Sequence, residues 1–347
     1  MRKYGIKVLL GFLIGFAIGW FFWSQSRPLV KYRETNEIGD ITVSIDVCVP
    51  QGEDTRKIAR ILDDVWQLKR EILTRMSPLA TQSDLSKVNS SYKNPQKISE
   101  DTYRILQQAI RFKDITRGAF DIGGGNLVEL WKRCERQNRL PSEQEILEAK
   151  SASRTSSLKF LLGNRVEIVH PAMRIDLGGI ASGYAVDQAV KLLQKKGVRN
   201  FLIDADGDMY ASGQNCSRKP WTIAIRNPTD RSKIVDVIQV SNMSVSTSGG
   251  LESGYTIAGQ RLSHIINPLT GVPQKQVASA TVIAPTTFEN DALARAVCVL
   301  NPKQGPSLID SLGGQYACII ISKEKNGNLV FHKSRNYAFY QIKNLKR

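Results

Sequence analysis

Residues 174–187 read RIDLGGIASGYAVD, and residues 264–272 read HIINPLTGV. The first stretch places Asp176 and the pair Gly178-Gly179 at the start of residues 179–197, whose apolar spacing predicts a helix that ends at Gly197. The start of a helix offers unpaired N–H groups to an anion, and glycine lets a phosphate approach the backbone. The stretches therefore indicate a site for a nucleotide-like ligand. A capping aspartate beside closely packed glycines would give the same pattern.

Three other features are candidates for chemistry. His264 opens the second stretch, and its unperturbed pKa suits a general base near neutral pH. Asp291 begins a predicted helix over residues 289–300, where helix capping is the alternative role. Thr247, Ser248 and Gly249 could bind an anion through hydroxyl and backbone groups, or only turn a strand. The chain contains no G-x-S-x-G elbow and no Walker A motif, which argues against a serine hydrolase and a P-loop enzyme.

Outward from these stretches, strand and helix patterns are mixed without strict βαβ alternation, which favours an α+β fold. A closing hairpin is predicted over residues 316–334, with Asn326-Gly327 at its turn. Residues 165–179 are predicted to form two strands across a turn at Pro171. Other predicted elements are a strand at 41–49 and helices at 53–75 and 99–116, the last with Ser99 as N-cap. We assign one domain to residues 41–340.

The amino-acid composition excludes fewer classes of binding partner than the motifs do. The net charge of +16 favours anionic partners, but no run concentrates it into a nucleic-acid arm, so we predict no nucleic-acid binding. The five cysteines form no C-x-x-C pair and no zinc pattern, and their number leaves at least one unpaired. Cys298 and Cys318 lie in apolar runs and are predicted to be buried thiols. Cysteine content alone does not decide the redox compartment.

The N-terminus predicts a membrane anchor. Basic residues precede an uncharged stretch at 8–23, and no small-residue cleavage site follows. We therefore predict an uncleaved transmembrane signal-anchor helix at residues 1–25 and a polar linker at 26–40. A cleaved signal peptide is the competing interpretation. The expected location is the cell inner membrane, with the domain on the periplasmic side.

Six motifs in order resemble the FAD:protein FMN transferase family, also called the ApbE family, from about residue 38 to residue 334. They are MSPLATQSDLSKVNS (76–90), GAFDIGGGNLVELW (118–131), DLGGIASGYAVD (176–187), VSTSGG (245–250), HIINPLTG (264–271) and NDALARA (290–296). Members cleave FAD and attach FMN through a phosphoester to a Thr or Ser of a target protein, releasing AMP. The targets are typically subunits of membrane redox complexes, such as sodium-translocating NADH:quinone reductase.

The resemblance implies an ApbE-like mixed α/β catalytic domain, with FAD as substrate and Mg²⁺ at its pyrophosphate. It makes His264 the candidate base and Asp291 a catalytic residue. Gly179, through its carbonyl, and Asp291 would ligate the metal. The residues expected at FAD are Ala119, Phe120, Asp121, Asp176, Ser182 and Ile266, with Thr247, Ser248 and Gly249 as the further anion-binding candidates.

The chain departs from the family pattern at several positions. Arg295 stands four residues after Asp291, where the family usually has a metal-ligating threonine. A fixed positive charge repels a cation but can pair with pyrophosphate oxygens. Leu79, Ser182 and Asn267 replace an aromatic residue, a lysine and an aspartate of the family. These departures keep two alternatives open beside the transferase: a catalytically weakened FAD-binding relative acting as carrier or assembly factor, and an FAD pyrophosphatase.

Overall fold

The structure, a computed structural model, describes residues 27–39, 41–153, 157–249, 254–324 and 326–342. Its strands are β1 (Leu29–Ile38), β2 (Ile41–Pro50), β3 (Gln96–Lys97), β4 (Leu158–Leu161), β5 (Arg165–Ile168), β6 (Phe201–Ala205), β7 (Asp208–Ser212), β8 (Trp221–Asn227), β9 (Asp230–Val240), β10 (Met243–Gly249), β11 (Gly254–Ile257), β12 (Gln260–Ser263), β13 (Val277–Ala284), β14 (Ala317–Lys323) and β15 (Leu329–Lys333). Its helices are α1 (Thr55–Met76), α2 (Asp84–Ser90), α3 (Glu100–Ile115), α4 (Gly125–Arg136), α5 (Glu143–Ala152), α6 (Ala181–Lys195), α7 (Thr287–Val299) and α8 (Gln304–Leu312), followed by a 3₁₀ turn at Arg335–Phe339. The α+β prediction is confirmed.

Eight of the described strands form one antiparallel sheet in the order β1-β2-β6-β7-β10-β13-β14-β15. Helices α1, α6 and α7 pack on one side, which we call the helical face. The hairpin β8–β9 packs on the other side, the strand face. Strand β13 is buried along its whole length, because elements cover both faces of the sheet there.

Side-chain alternation along the strands divides the core between the two faces. In β14, Cys318 and Ile320 point to the helical face, whereas Ile319 and Ile321 point to the strand face. The strand-face cluster also contains Trp221 of β8, whose Nε1 donates to the carbonyl of Ser212 at 2.9 Å. The sheet therefore contributes apolar surface to two separate cores.

The predicted linker at residues 26–40 is wrong for most of its length. Leu29–Ile38 pairs with β2 over ten residues as an edge strand of the main sheet. The polar composition of this segment predicts a linker, but two of its charged residues have a structural role. Lys31 and Arg33 pair with the buried carboxylate of Asp46. Glu34 accepts a hydrogen bond from Trp66 Nε1 at 2.9 Å. The folded domain therefore begins before residue 41.

Several local predictions are confirmed, and one is half wrong. Ser99 caps α3 by accepting from the backbone N–H of Thr102, and the 316–334 hairpin forms as β14 and β15. Residues 165–179 contain only one strand, β5. The segment predicted as the second strand is irregular, because Asn89 bonds both backbone groups of Ile175 and Ile122 accepts from the N–H of Asp176.

Cysteine pairing was not foreseen from the sequence. Cys48 of β2 and Cys216, in the loop that leads to β8, form a disulfide across 168 residues of chain. Cys134, Cys298 and Cys318 are buried free thiols, which confirms the prediction for the last two. The disulfide ties the entry of the β8–β9 hairpin to the main sheet.

The predicted signal anchor at residues 1–25 lies outside the described residues. Across the ranges that the structure describes, no helix is both long and apolar enough to cross a membrane.

Candidate active site

A cavity opens beside the N-terminus of α6, with about 580 Å³ of unfilled space including its open mouth. Four separate parts of the chain line it: the loop before α4, the turn before α6, the segment after β12, and the outer side of α7. The predicted site residues that it brings together are Ala119, Phe120, Asp121, Asp176, Gly179, His264 and Ile266. Residues far apart in the sequence thus converge on one cavity.

The loop before α4 is fixed by short-range contacts. The backbone N–H of Phe120 donates to Thr116 Oγ1 at 3.1 Å. Asp121 accepts from the N–H of Gly123 at 2.8 Å and lies 3.3 Å from Lys113 Nζ. Asp121 therefore builds its own turn, and its position in the cavity is held before any ligand arrives.

The turn before α6 has the geometry of an Asx turn. Asp176 Oδ1 accepts from the N–H of Gly178 at 2.8 Å. Asp176 therefore shapes the turn and also faces the cavity. Farther along α6, a Cβ at Gly183 would lie 2.6 Å from the carbonyl oxygen of Thr287, so only glycine lets α6 and α7 approach this closely.

Asp187, the last residue of the 176–187 motif, joins α6 to α7. Its carboxylate accepts from the N–H groups of Thr287 at 2.7 Å and Phe288 at 3.0 Å, so it satisfies orphan donors at the start of α7. Burial raises the pKa of Asp187 to about 6, against the opposing effect of these hydrogen bonds. The sequence pattern predicts no separate role for Asp187, yet this residue positions the helix that carries Asp291.

His264 follows β12 and lines the same cavity as Gly179. The next residues are tied down: Ile265 N–H donates to Ser263 Oγ at 3.0 Å, and Gln274 N–H donates to the carbonyl of Ile265 at 2.9 Å. Trp131 Nε1 donates to the carbonyl of Gly271 at 2.9 Å, which anchors the far end of the segment to α4. His264 therefore lies at the start of a segment that hydrogen bonds hold in place.

Behind the cavity lies a charged cluster of four residues: Lys69 of α1, Asp208 of β7, and Asp291 and Arg295 of α7. Lys69 and Asp291 are 1% and 6% exposed. Burial raises the pKa of Asp208 to about 6, with Arg295 and Lys69 among the groups that oppose the shift. Burial and then Asp208 raise the pKa of Asp291, while Arg295 opposes them. Burial lowers the pKa of Lys69 to about 8 against the pull of Asp208.

Arg295 links the cluster to the cavity, which it also lines. Its Nε lies 3.6 Å from Asp291 Oδ1, and its Nη2 donates to the carbonyl of Gly178 at 3.3 Å. A Cβ placed on Gly179 would lie 2.6 Å from both Cδ and Cζ of Arg295. The guanidinium therefore rests directly on the glycine turn.

These contacts do not fit a resident Mg²⁺ between Asp291 and Gly179. The guanidinium of Arg295 already lies beside Asp291 and against Gly179, the two predicted ligands. Two unit charges about 4 Å apart near a protein surface repel by about 4 kcal/mol, and a divalent ion doubles that cost. No group of three His, Cys, Asp or Glu side chains in the described ranges could hold a metal ion.

Other predicted site residues lie outside the cavity lining. Ser182 follows the glycine turn on the first turn of α6, and Asp291 lies behind Arg295. Ser248 and Gly249 lie at the end of β10, where the carbonyl of Ser248 accepts from Cys298 Sγ at 3.2 Å. Thr247 points to the strand face, with its hydroxyl 2.8 Å from that of Thr281. Their roles at FAD stay predictions.

The sequence does contain a signal for one missed member of the cluster. On α1 the buried residues Leu62, Val65, Lys69, Ile72 and Met76 follow one another at spacings of three and four. A lysine inside such an apolar stripe indicates a buried charge that needs a partner. Its partner, Asp208, belongs to the turn at 204–208 and has no comparable signal.

Comparison with known proteins agrees with this arrangement. A family model described as the ApbE family matches residues 40–320. The chain is 30% identical over 293 residues to the FAD:protein FMN transferase of Haemophilus influenzae, covering 80% of this chain and 82% of that protein. It is 31% identical over 273 residues to the FAD:protein FMN transferase of Escherichia coli K12, covering 74% and 77%.

Solved structures give the same result. The ApbE protein from Thermotoga maritima superposes with a TM-score of 0.80 at 28% identity, covering 90% of this chain and 100% of that one. The flavin transferase ApbE from Vibrio cholerae superposes with a TM-score of 0.78 at 26% identity, with the same coverage.

Proposed function

Because this chain belongs to the ApbE family, we propose that it is an FAD:protein FMN transferase. The observation that carries the proposal is the convergence of Asp176, His264 and the 119–121 loop on one cavity beside a helix N-terminus. Helix N-termini bind phosphate through orphan N–H groups and a favourable field. The FAD pyrophosphate is a ligand with that chemistry.

In the proposed reaction, a Thr or Ser hydroxyl oxygen of the acceptor attacks the phosphorus of the FMN half of FAD. The bond between that phosphorus and the bridging oxygen breaks, and AMP leaves with the bridging oxygen. His264 takes the hydroxyl proton as the new phosphoester forms. The resemblance also implies Mg²⁺, but the position of Arg295 does not fit a resident ion, so no proposed step uses one.

The charge of Arg295 supports one alternative function. If the guanidinium holds FAD without activating it, the chain is a catalytically weakened FAD-binding relative that acts as a carrier or assembly factor. An FAD pyrophosphatase would differ by using water in place of the acceptor hydroxyl. The product distinguishes all three functions.

We further propose an extracytoplasmic location, with an inner-membrane anchor at residues 1–25 and a membrane redox-complex subunit as acceptor. The Cys48–Cys216 disulfide supports the location, since such bonds persist mainly in oxidising compartments. Fractionation of cells with a protease-accessibility assay tests it: digestion of the domain from the periplasmic side is expected, and protection there would contradict it.

The test of the function uses the full-length chain, FAD and the unflavinylated flavin-carrying subunit of a sodium-translocating NADH:quinone reductase. We expect the subunit to gain the mass of one FMN, together with release of AMP. His264→Ala should slow the gain by about 10²- to 10⁴-fold, because a positioned base contributes that much.

His332→Ala is the matched control, since His332 lies on edge strand β15 and bonds Ser322 at 3.2 Å. It should leave the rate unchanged. FAD binding without mass gain would favour the carrier function, and AMP release without mass gain would favour the pyrophosphatase.

A further inference from the structure

The charged cluster contains two acidic and two basic side chains. Asp208 and Asp291 contribute two carboxylates, and Lys69 and Arg295 contribute two cations. Lys69 is almost fully buried, so its charge acts on Asp208 at the buried side of the cluster. Arg295 is the member that reaches the cavity, where about a third of its side chain is exposed.

The guanidinium of Arg295 keeps donor capacity for a ligand. Its Nε faces Asp291 Oδ1 at 3.6 Å, whereas the bond from its Nη2 to the carbonyl of Gly178 is long at 3.3 Å and about a third of the side chain is exposed, so the terminal N–H groups are the donors available to a ligand. The fork of guanidinium donors matches the geometry of phosphate oxygens. It lies beside the N-terminus of the fifteen-residue helix α6, whose own field also favours an anion.

A simple structural ion pair explains less of this geometry. An ordinary Asp–Arg pair at positions i and i+4 would extend along the surface of its helix. Arg295 instead crosses to α6 and fills the space over Gly179 that a Cβ would otherwise occupy. Only glycine at that position admits the guanidinium, so the turn and the arginine fit each other.

We propose that Arg295 replaces a divalent metal ion in this protein, and that its guanidinium binds the FAD pyrophosphate without magnesium. The proposal rests on the proposed function for the identity of the ligand. Asp291 then serves as a positioning residue that orients Arg295. Lys69 and Asp208 support the pair by keeping the buried side of the cluster neutral.

The test measures FAD affinity of the full-length chain by flavin fluorescence, once in EDTA and once in millimolar magnesium, without acceptor. We expect the Kd of the unaltered protein to differ by less than about twofold between the two buffers. Weakening by about tenfold or more in EDTA would overturn the proposal, since a divalent ion would then supply the binding charge.

Arg295→Thr sharpens the test. It should weaken FAD binding in EDTA by about 10- to 100-fold, the range for a lost charge-assisted hydrogen bond, and magnesium should restore part of the affinity. Arg295→Lys keeps the charge and should bind FAD in EDTA better than Arg295→Thr. Equal affinity of Arg295→Thr and the unaltered protein in EDTA would contradict the role of Arg295.

Arg104→Thr is the matched control, because Arg104 also pairs with a carboxylate four residues away, but on the exposed side of α3. Its FAD affinity should match that of the unaltered protein in both buffers. The failures are distinguishable: a protein that binds no FAD in either buffer contradicts the proposed function, whereas binding abolished only by EDTA contradicts the role of Arg295 and leaves the function standing.

Discussion

The two faces of the main sheet are built from different kinds of interaction. The helical face carries the charged cluster, the Asp187 clamp and the cavity, so polar groups are buried among its apolar residues. The strand face is held by an apolar cluster under β8–β9, by the Cys48–Cys216 disulfide and by ion pairs at Asp46 and Asp236. The cavity of the predicted site is lined in part by Phe120 and Ile265, which belong to the helical-face core.

This difference indicates a division between the two faces, with ligand chemistry on the helical face and stability on the strand face. The charged cluster on the helical face has a desolvation cost, and it lies at the predicted site. The buried carboxylate of Asp46, on the other side of β2, is instead paired with Lys31 and Arg33 and does not line the cavity. The strand face contributes stability through burial and a covalent link, and the motif side chains Val245 and Thr247 point to it. If the division holds, changes on the strand face should alter stability and leave FAD binding intact.

The largest expected effect is loss of the disulfide. The chain-entropy estimate for a loop of 168 residues is about 5 kcal/mol of unfolding free energy. The Cys48→Ala/Cys216→Ala variant should lose stability of that order in urea unfolding. Hydrogen exchange should increase most in β8–β9, while FAD affinity under folding conditions should stay within about twofold.

Reductant provides the control for the disulfide prediction. It should destabilise the unaltered protein and have no further effect on the double variant. A large loss of FAD affinity in a variant that remains folded would show that the strand face shapes the site.

The features that the sequence predicts correctly are those with local signals. The helix after the glycine turn, the cap at Ser99 and the Asn326-Gly327 hairpin each follow from a few adjacent residues. The convergence of His264 on the glycine turn came from the order of the family motifs. It did not follow from any local rule.

The missed features depend on distant partners. The sequence of strand β1 is polar like that of a linker. Its structural role follows only from its distant partners, because Asp46 pairs with Lys31 and Trp66 donates to Glu34. The disulfide and the Asp187 clamp join residues 168 and 100 positions apart, and no spacing rule reaches that far. The position of Arg295 over Gly179 likewise depends on how α6 and α7 pack.

A second prediction concerns the pH dependence of the helical face. The pKa of Asp187 is raised from 3.8 to about 6 in the folded protein. Between these values the native state binds more protons than the unfolded state, so the contribution of Asp187 to stability falls as pH rises. Asp187→Asn removes this slope. We expect unfolding free energies from about pH 4 to about pH 7 to decline by about 1–3 kcal/mol more in the unaltered protein than in the variant.

Stability at low pH and a variant at an exposed carboxylate serve as controls for the pH prediction. Asp187→Asn should lower stability at low pH, because an NH2 donor then replaces one of the two oxygens that accept from Thr287 and Phe288. Asp64→Asn, at an exposed carboxylate that pairs with Lys196, should leave the slope unchanged. Equal slopes for Asp187→Asn and the unaltered protein would mean that Asp187 is ionised throughout this range and does not carry the expected cost.

The smallest effect tests the division between the faces most directly. Thr247 belongs to a motif of the predicted FAD site, yet its hydroxyl lies 2.8 Å from that of Thr281 on the strand face. Thr247→Val keeps the shape and removes one hydrogen bond, so it should cost about 0.5–1.5 kcal/mol of unfolding free energy. The FAD affinity of Thr247→Val should stay within about twofold of the unaltered protein. Ser244→Ala provides the comparison for stability, because it removes a helical-face hydroxyl that accepts from Asn290 Nδ2 at 3.1 Å. A tenfold loss of FAD affinity in Thr247→Val would place ligand contacts on both faces and end the division proposed above, because a strand-face hydroxyl would then reach the substrate.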